Sequence, residues 1–128
     1  MVTMFQDAAF ELKLRGYCCS QIIMELGLRK LGKENPDLIA AMAGLCNGFW
    51  RGKTCGIYSA CLCLLYLADA AEADRFNAAA FSDWFEDAFG DTECDVLLEN
   101  NPLNKVEKCP VMLEAAFMKV SELLEWDD

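Results

Sequence analysis

Apolar residues of this 128-residue chain recur at three- and four-residue spacing in several segments, among them Phe5–Leu12 and Leu38–Leu45, and no window alternates with period two. The first repeat makes one face of a helix and the second one face of a strand, so the chain is patterned for packed helices and not for a sheet. Hydrophobic residues make up 55% of it, much of this alanine, with few β-branched runs, a composition that also favours helix. The expected fold is all-α: a single-domain helical bundle of about six helices over residues 1–128, long enough to build a core without disulfide staples.

Breakers place the helices. The first runs from about Thr3 to Arg15, with Phe5, Ala8, Ala9 and Leu12 on one face, and stops at Gly16-Tyr17. The second runs from Cys18/Cys19 to Leu31, burying Ile22, Ile23, Leu26 and Leu28, and ends at Gly32. Pro36 opens a third that carries Leu38, Ile39, Met42 and Leu45 and runs to about Phe49. Thr54 is read as the N-cap of a fourth, through about Ala70. Asp74 or Asn77 caps a fifth, with Phe81, Phe85, Ala88 and Phe89 on one side, which Gly90 stops. Thr92 caps a short turn from Cys94 to Leu98, and Pro110 is read as the first residue of the last helix, ending near Trp126.

Eight cysteines and no histidine narrow the chemistry. Without histidine there is no Ser–His or Cys–His nucleophile, no mixed Cys/His zinc site and no histidine haem ligand. Any chemistry falls to sulfur. Cys19, Cys55, Cys94 and Cys109 are each read at a helix start, where unpaired N–H groups and partial positive charge stabilise a thiolate or an anionic cluster held by thiolates. No pair among them has C-x-x-C spacing, so a shared site has to be assembled by folding. Cys61 and Cys63 read as buried small hydrophobes, Cys46 as a core residue, with a place near the site as the alternative, and Cys18 as a spare thiol beside Cys19.

Gly44, Gly48, Gly52 and Gly56 recur every four residues. They suit either close helix packing or a backbone that must approach a cofactor. Met4, Met24, Met42, Met112 and Met118 read as core filler, and the acidic residues around Trp84 as a solvated face.

A net charge of −10 makes nucleic acid and anionic lipid poor partners and suits a protein redox partner with a basic docking surface. The start of the chain lacks the basic and apolar regions of a signal peptide. The longest uncharged stretch, Thr54 to Ala68, is too short for a membrane helix of ~20 residues. The expected setting is the cytoplasm without membrane insertion, where thiols, metal ligands or a working redox pair are favoured over structural disulfides.

The order of Gly16-Tyr17-Cys18-Cys19-Ser20-Gln21, Arg51-Gly52-Lys53-Thr54-Cys55-Gly56, Glu93-Cys94-Asp95-Val96-Leu97-Leu98 and Lys108-Cys109-Pro110 resembles the C-GCAxxG-C-C family over roughly residues 16–120. Its bacterial and archaeal members are described as redox-active. The chain departs from the pattern at Ile57 and Ala60, where the family motif has alanine and glycine. The resemblance makes Cys19, Cys55, Cys94 and Cys109 the four family cysteines and implies electron transfer, in keeping with the family's occurrence in anaerobes and beside multihaem segments in some cytochromes. No C-x-x-C-H is present, so the chain attaches no haem covalently.

The leading expectation is an iron–sulfur cluster of the [2Fe–2S] type on those four cysteines. The alternatives are thiol–disulfide chemistry with Cys55 as nucleophile, its pKa lowered by the helix end, and a structural zinc held by four thiolates in a helical interaction protein. The sequence leaves open whether the protein is an enzyme or a carrier, and its oligomeric state.

Overall fold

The computed structural model describes residues 4–126 except Asn47, and leaves aside the side chains of Met4, Pro102, Lys105, Val106 and Glu107. Thr3, where the first helix was expected to start, and the Met4 side chain therefore lie outside the described residues.

The architecture is all-α, with no strand among the described residues. The helices are α1 (Met4–Leu14), α2 (Cys19–Leu31), α3 (Pro36–Met42), α4 (Gly56–Ala68), α5 (Ala70–Glu72), α6 (Ala78–Phe89), α7 (Cys94–Leu97) and α8 (Lys105–Leu123). The core sits where α2 and α4 pack together and α8 crosses them. It contains Ile22, Ile23, Ile57, Leu64, Leu65, Phe81, Phe85, Phe117 and Val120. Met24, Met42 and Met112 join it, whereas Met118 is exposed. Ala88 faces solvent as well, outside the apolar side expected of α6.

Several helix ends differ from the sequence reading, each for a local reason. α3 stops at Met42, about two turns before Phe49, and continues as a 3₁₀ turn, Ala43–Leu45. Side chains take the carbonyls a longer helix would have used: Ser20 Oγ donates to Met42 O (2.7 Å) and Trp50 Nε1 donates to Ala43 O (2.9 Å). A kinked turn, Gly48–Gly52, closed by the Lys53 N–H on Gly48 O (2.9 Å), then holds Phe49 and Trp50 at φ 60° and 62°, left-handed values that side-chain-bearing residues seldom adopt.

α4 ends at Ala68 because the Asp69 side chain caps the next helix, accepting from the Glu72 N–H (3.1 Å). The fifth helical stretch thus begins before Asp74 and Asn77, and reaches α6 through a π-helical turn, Ala73–Asn77. Gly90 stops α6 in the left-handed region, as the sequence indicates.

The last helix begins at Lys105, not at Pro110, because the 3₁₀ turn Pro102–Asn104 leads straight into it. Pro110 lies in its second turn, and Cys109 is inside α8 instead of at its start.

Candidate redox site

Three of the four family-pattern cysteines do open helices. Cys19 is the first residue of α2, Cys94 the first of α7, and Cys55, not Thr54, is the N-cap of α4. Glu93, not Thr92, occupies the N-cap position of α7.

Backbone pairing sets Cys55 beside Cys94. The Cys55 N–H donates to Thr92 O (2.7 Å) and the Cys94 N–H to Lys53 O (2.5 Å), around an antiparallel bridge between Thr54 and Glu93. Thr54 Oγ1 adds a bond to Glu93 Oε1 (3.3 Å), and the Asp91 carboxylate accepts from the Thr92 and Glu93 N–H groups (2.7 and 2.8 Å). Lys108 Nζ donates to Leu97 O (3.0 Å), tying the start of α8, and with it Cys109, to α7.

The glycines answer to packing. A Cβ on Gly56 would stand 2.7 Å from the Leu45 carbonyl oxygen, so the residue after Cys55 has to be glycine for the Ala43–Leu45 turn to lie against α4. Gly48 and Gly52 adopt positive φ, with the Lys53 backbone and the Asp95 carboxylate where their Cβ atoms would be. Gly44 has open space around it, so close packing does not account for that position.

The result is one small cavity lined by Cys19, Cys55, Cys94 and Cys109, together with Cys18, Cys46, Gly56 and Ile57. Its volume is about 20 Å³, room for roughly one water-sized atom. Cys18 and Cys46 are joined to each other in a disulfide, and Cys19, Cys55, Cys94 and Cys109 stand outside that bond. That bond corrects the reading of Cys18 as a spare thiol. Cys18 directly precedes α2 and Cys46 directly follows the turn after α3, and the Ser20–Met42 bond holds those two ends together. The sequence missed this pair; the adjacency of Cys18 to Cys19 was the only available signal.

Burial dominates the sulfur electrostatics. It pushes the Cys55 thiol up from about 9.0 to about 11, against the lowering effect of the Tyr58 and Ile57 N–H groups; neighbouring Cys94 and Cys19 raise it slightly further. A helix end therefore does not by itself make Cys55 a thiolate at neutral pH. Cys61, fully buried in α4, is raised well above the ordinary range by the same cause. Cys63 is exposed and not buried as expected, because α4 turns that face to solvent.

A family model described as "Putative redox-active protein (C_GCAxxG_C_C)" matches residues 17–123, which takes in all six cysteines at the cavity. The chain belongs to the C_GCAxxG_C_C family. No curated protein and no solved structure matches it.

As donors, four cysteine sulfurs with no competing histidine fit an iron–sulfur cluster or a zinc ion in kind. Among the described residues, however, no group of three or more His, Cys, Asp or Glu is arranged to hold a metal ion. No described helix is long and apolar enough to cross a membrane.

Proposed function

We propose that this member of the C_GCAxxG_C_C family is an electron-transfer protein in which Cys19, Cys55, Cys94 and Cys109 hold an iron–sulfur cluster of the [2Fe–2S] type. The observation that supports it is that these four cysteines, set apart from the Cys18–Cys46 disulfide, line a single cavity. Four thiolates complete the ligand set of such a cluster, which supplies one-electron chemistry when bound. The Ile57 and Tyr58 N–H groups directed at Cys55 sulfur would tune its potential. The high Cys55 pKa is compatible with this role, since a coordinating thiol is deprotonated by the metal. It counts against Cys55 as a free nucleophile at neutral pH.

The size of the cavity favours a second reading: room for about one water-sized atom suits a single zinc ion on the same four thiols. In either case the protein works in the cytoplasm, and the net charge of −10 suits a protein partner with a basic docking surface. Anaerobic purification from iron-replete cells, followed by absorption spectroscopy and assays for iron, acid-labile sulfide and zinc, separates the readings. Coloured protein with iron and sulfide supports the cluster. Colourless protein with stoichiometric zinc supports the ion.

A further inference from the structure

Two cysteines at the cavity stand outside the four-cysteine pattern, and they are bonded to each other. The Cys18–Cys46 disulfide spans 28 residues and joins the start of α2 to the segment after α3, with Cα atoms 6.3 Å apart. Ser20, fully buried, sits against both sulfurs: its Oγ lies 2.9 Å from Cys46 Sγ and 3.4 Å from Cys18 Sγ.

A hydroxyl has one hydrogen and two lone pairs. Ser20 donates that hydrogen to Met42 O (2.7 Å), so its lone pairs face the sulfurs. Disulfide sulfurs carry no hydrogen to offer them, whereas thiols do. The buried serine therefore gains a hydrogen bond when the disulfide is reduced.

We propose that Cys18–Cys46 is a reversible dithiol/disulfide couple, a second redox site beside the four family-pattern cysteines, that reacts with an external dithiol and is biased toward its reduced form by Ser20. This goes beyond the metal-binding reading and does not depend on it. Cys46 is 2% exposed and Cys18 is half-buried, so the external thiolate attacks Cys18 Sγ. The Cys18–Cys46 bond breaks, and Cys46 leaves as a thiolate, takes up a proton and donates its S–H to Ser20 Oγ. The second thiol of the reductant then loses its proton and attacks its own first sulfur, releasing Cys18 as a thiolate that is protonated in turn. One external dithiol becomes a disulfide and one protein disulfide becomes two thiols; two electrons and two protons are transferred.

The test is alkylation of the full chain, read by peptide mass. Aerobically prepared protein, denatured without reductant, should show Cys18 and Cys46 protected and joined to each other, and Cys55, Cys61 and Cys63 modified. Folded protein equilibrated in buffers of reduced and oxidised dithiothreitol should open and close the pair along one reversible two-electron curve. Ser20→Ala should lower the equilibrium constant for reduction about tenfold, a shift of ~30 mV, and Ser20→Thr, which keeps the hydroxyl, should follow the wild-type curve. Ser121→Ala is the control. It also removes a buried hydroxyl–carbonyl bond (Ser121 to Phe117 O, 2.9 Å), but about three turns along α8 from Cys109, and should not shift the curve.

Free Cys18 and Cys46 before reduction, or a pair that stays closed in excess reduced dithiothreitol, would overturn the proposal. An unshifted Ser20→Ala curve would overturn the part assigned to the serine. Because the readout is alkylation at two named cysteines, iron or zinc content does not enter it, and failure of the metal reading remains distinguishable.

Discussion

The first two turns of α4 face two neighbourhoods built on different physics. On one side lie Cys55, Gly56 and the sulfur cavity, positioned by backbone hydrogen bonds and by a glycine pressed against a carbonyl. On the other, Tyr58 meets the rings of Phe81 and Phe85 (centroids 6.1 and 5.2 Å), and Phe85 packs on Phe89 at 4.8 Å. The Tyr58 hydroxyl closes that side with a 2.8 Å bond to Ser82. The aromatic side buries large apolar area, which is where stability comes from. The sulfur side is also buried, but with smaller side chains, and its backbone geometry brings cysteines together. Stability and sulfur chemistry should therefore be separable by mutation within one helix.

The largest effect belongs to the aromatic side. Phe85→Ala removes a fully buried ring in contact with Tyr58, Phe81, Trp84 and Phe89 and should cost ~3–5 kcal/mol in urea unfolding. The molecules that remain folded should keep the wild-type metal or reactive-thiol content. Loss of that content in the folded fraction would show that the two sides are not independent.

The sharpest contrast compares two cysteines of the same helix. Cys61→Ser buries a hydroxyl among apolar side chains and should cost ~1–3 kcal/mol without changing metal or reactive-thiol content. Cys55→Ser should do the reverse, lowering that content sharply for a smaller change in melting temperature. The reverse outcome for the pair would reassign the working sulfur.

Gly56→Ala tests the geometric half of the comparison. The added Cβ meets the Leu45 carbonyl and must push the Ala43–Leu45 turn away, at an expected cost of ~1–3 kcal/mol. Because Cys46 follows that turn, the Cys18–Cys46 pair should also become easier to reduce. A variant with unchanged stability and an unchanged pair would mean that this contact does not position the sulfur.

Alkali should weaken the metal-free, reduced protein through Cys55. Its folded pKa of about 11 lies above the ordinary 9.0, so the folded state holds the proton more tightly than the unfolded one. The associated stability is complete below about pH 9 and is lost as pH rises toward 11. Buried Cys61 adds a loss of the same sign. Thermal melts across that range should show a shallower alkaline decline for Cys55→Ala than for wild type. Equal declines would remove Cys55 from the account.

The smallest effect is expected at Cys63. It is exposed, and Cys63→Ser should stay within about 0.5 kcal/mol of wild type in the same melts.

How far the sequence carried this reading depends on the range of the interaction. Periodicity found the apolar faces of α1 and α2, because helix formation and amphipathicity are written within a few neighbouring residues. The helix ends were harder. α3 stops early because Ser20 and Trp50 take its last carbonyls, and α8 starts early because a 3₁₀ turn runs into it. Residues outside the local window decide such ends.

Sequence alone determined that the chain is all-α, that it has no histidine to offer, and that four spaced cysteines mark the family, since each of these follows from residue type and order. Tertiary structure decided which sulfurs share the cavity and which are bonded to each other. It also put Cys63 on the surface and raised the Cys55 pKa. A thiol's proximity and pKa are set by what folding brings around it, here a backbone bridge between segments nearly forty residues apart and the desolvation that comes with burial.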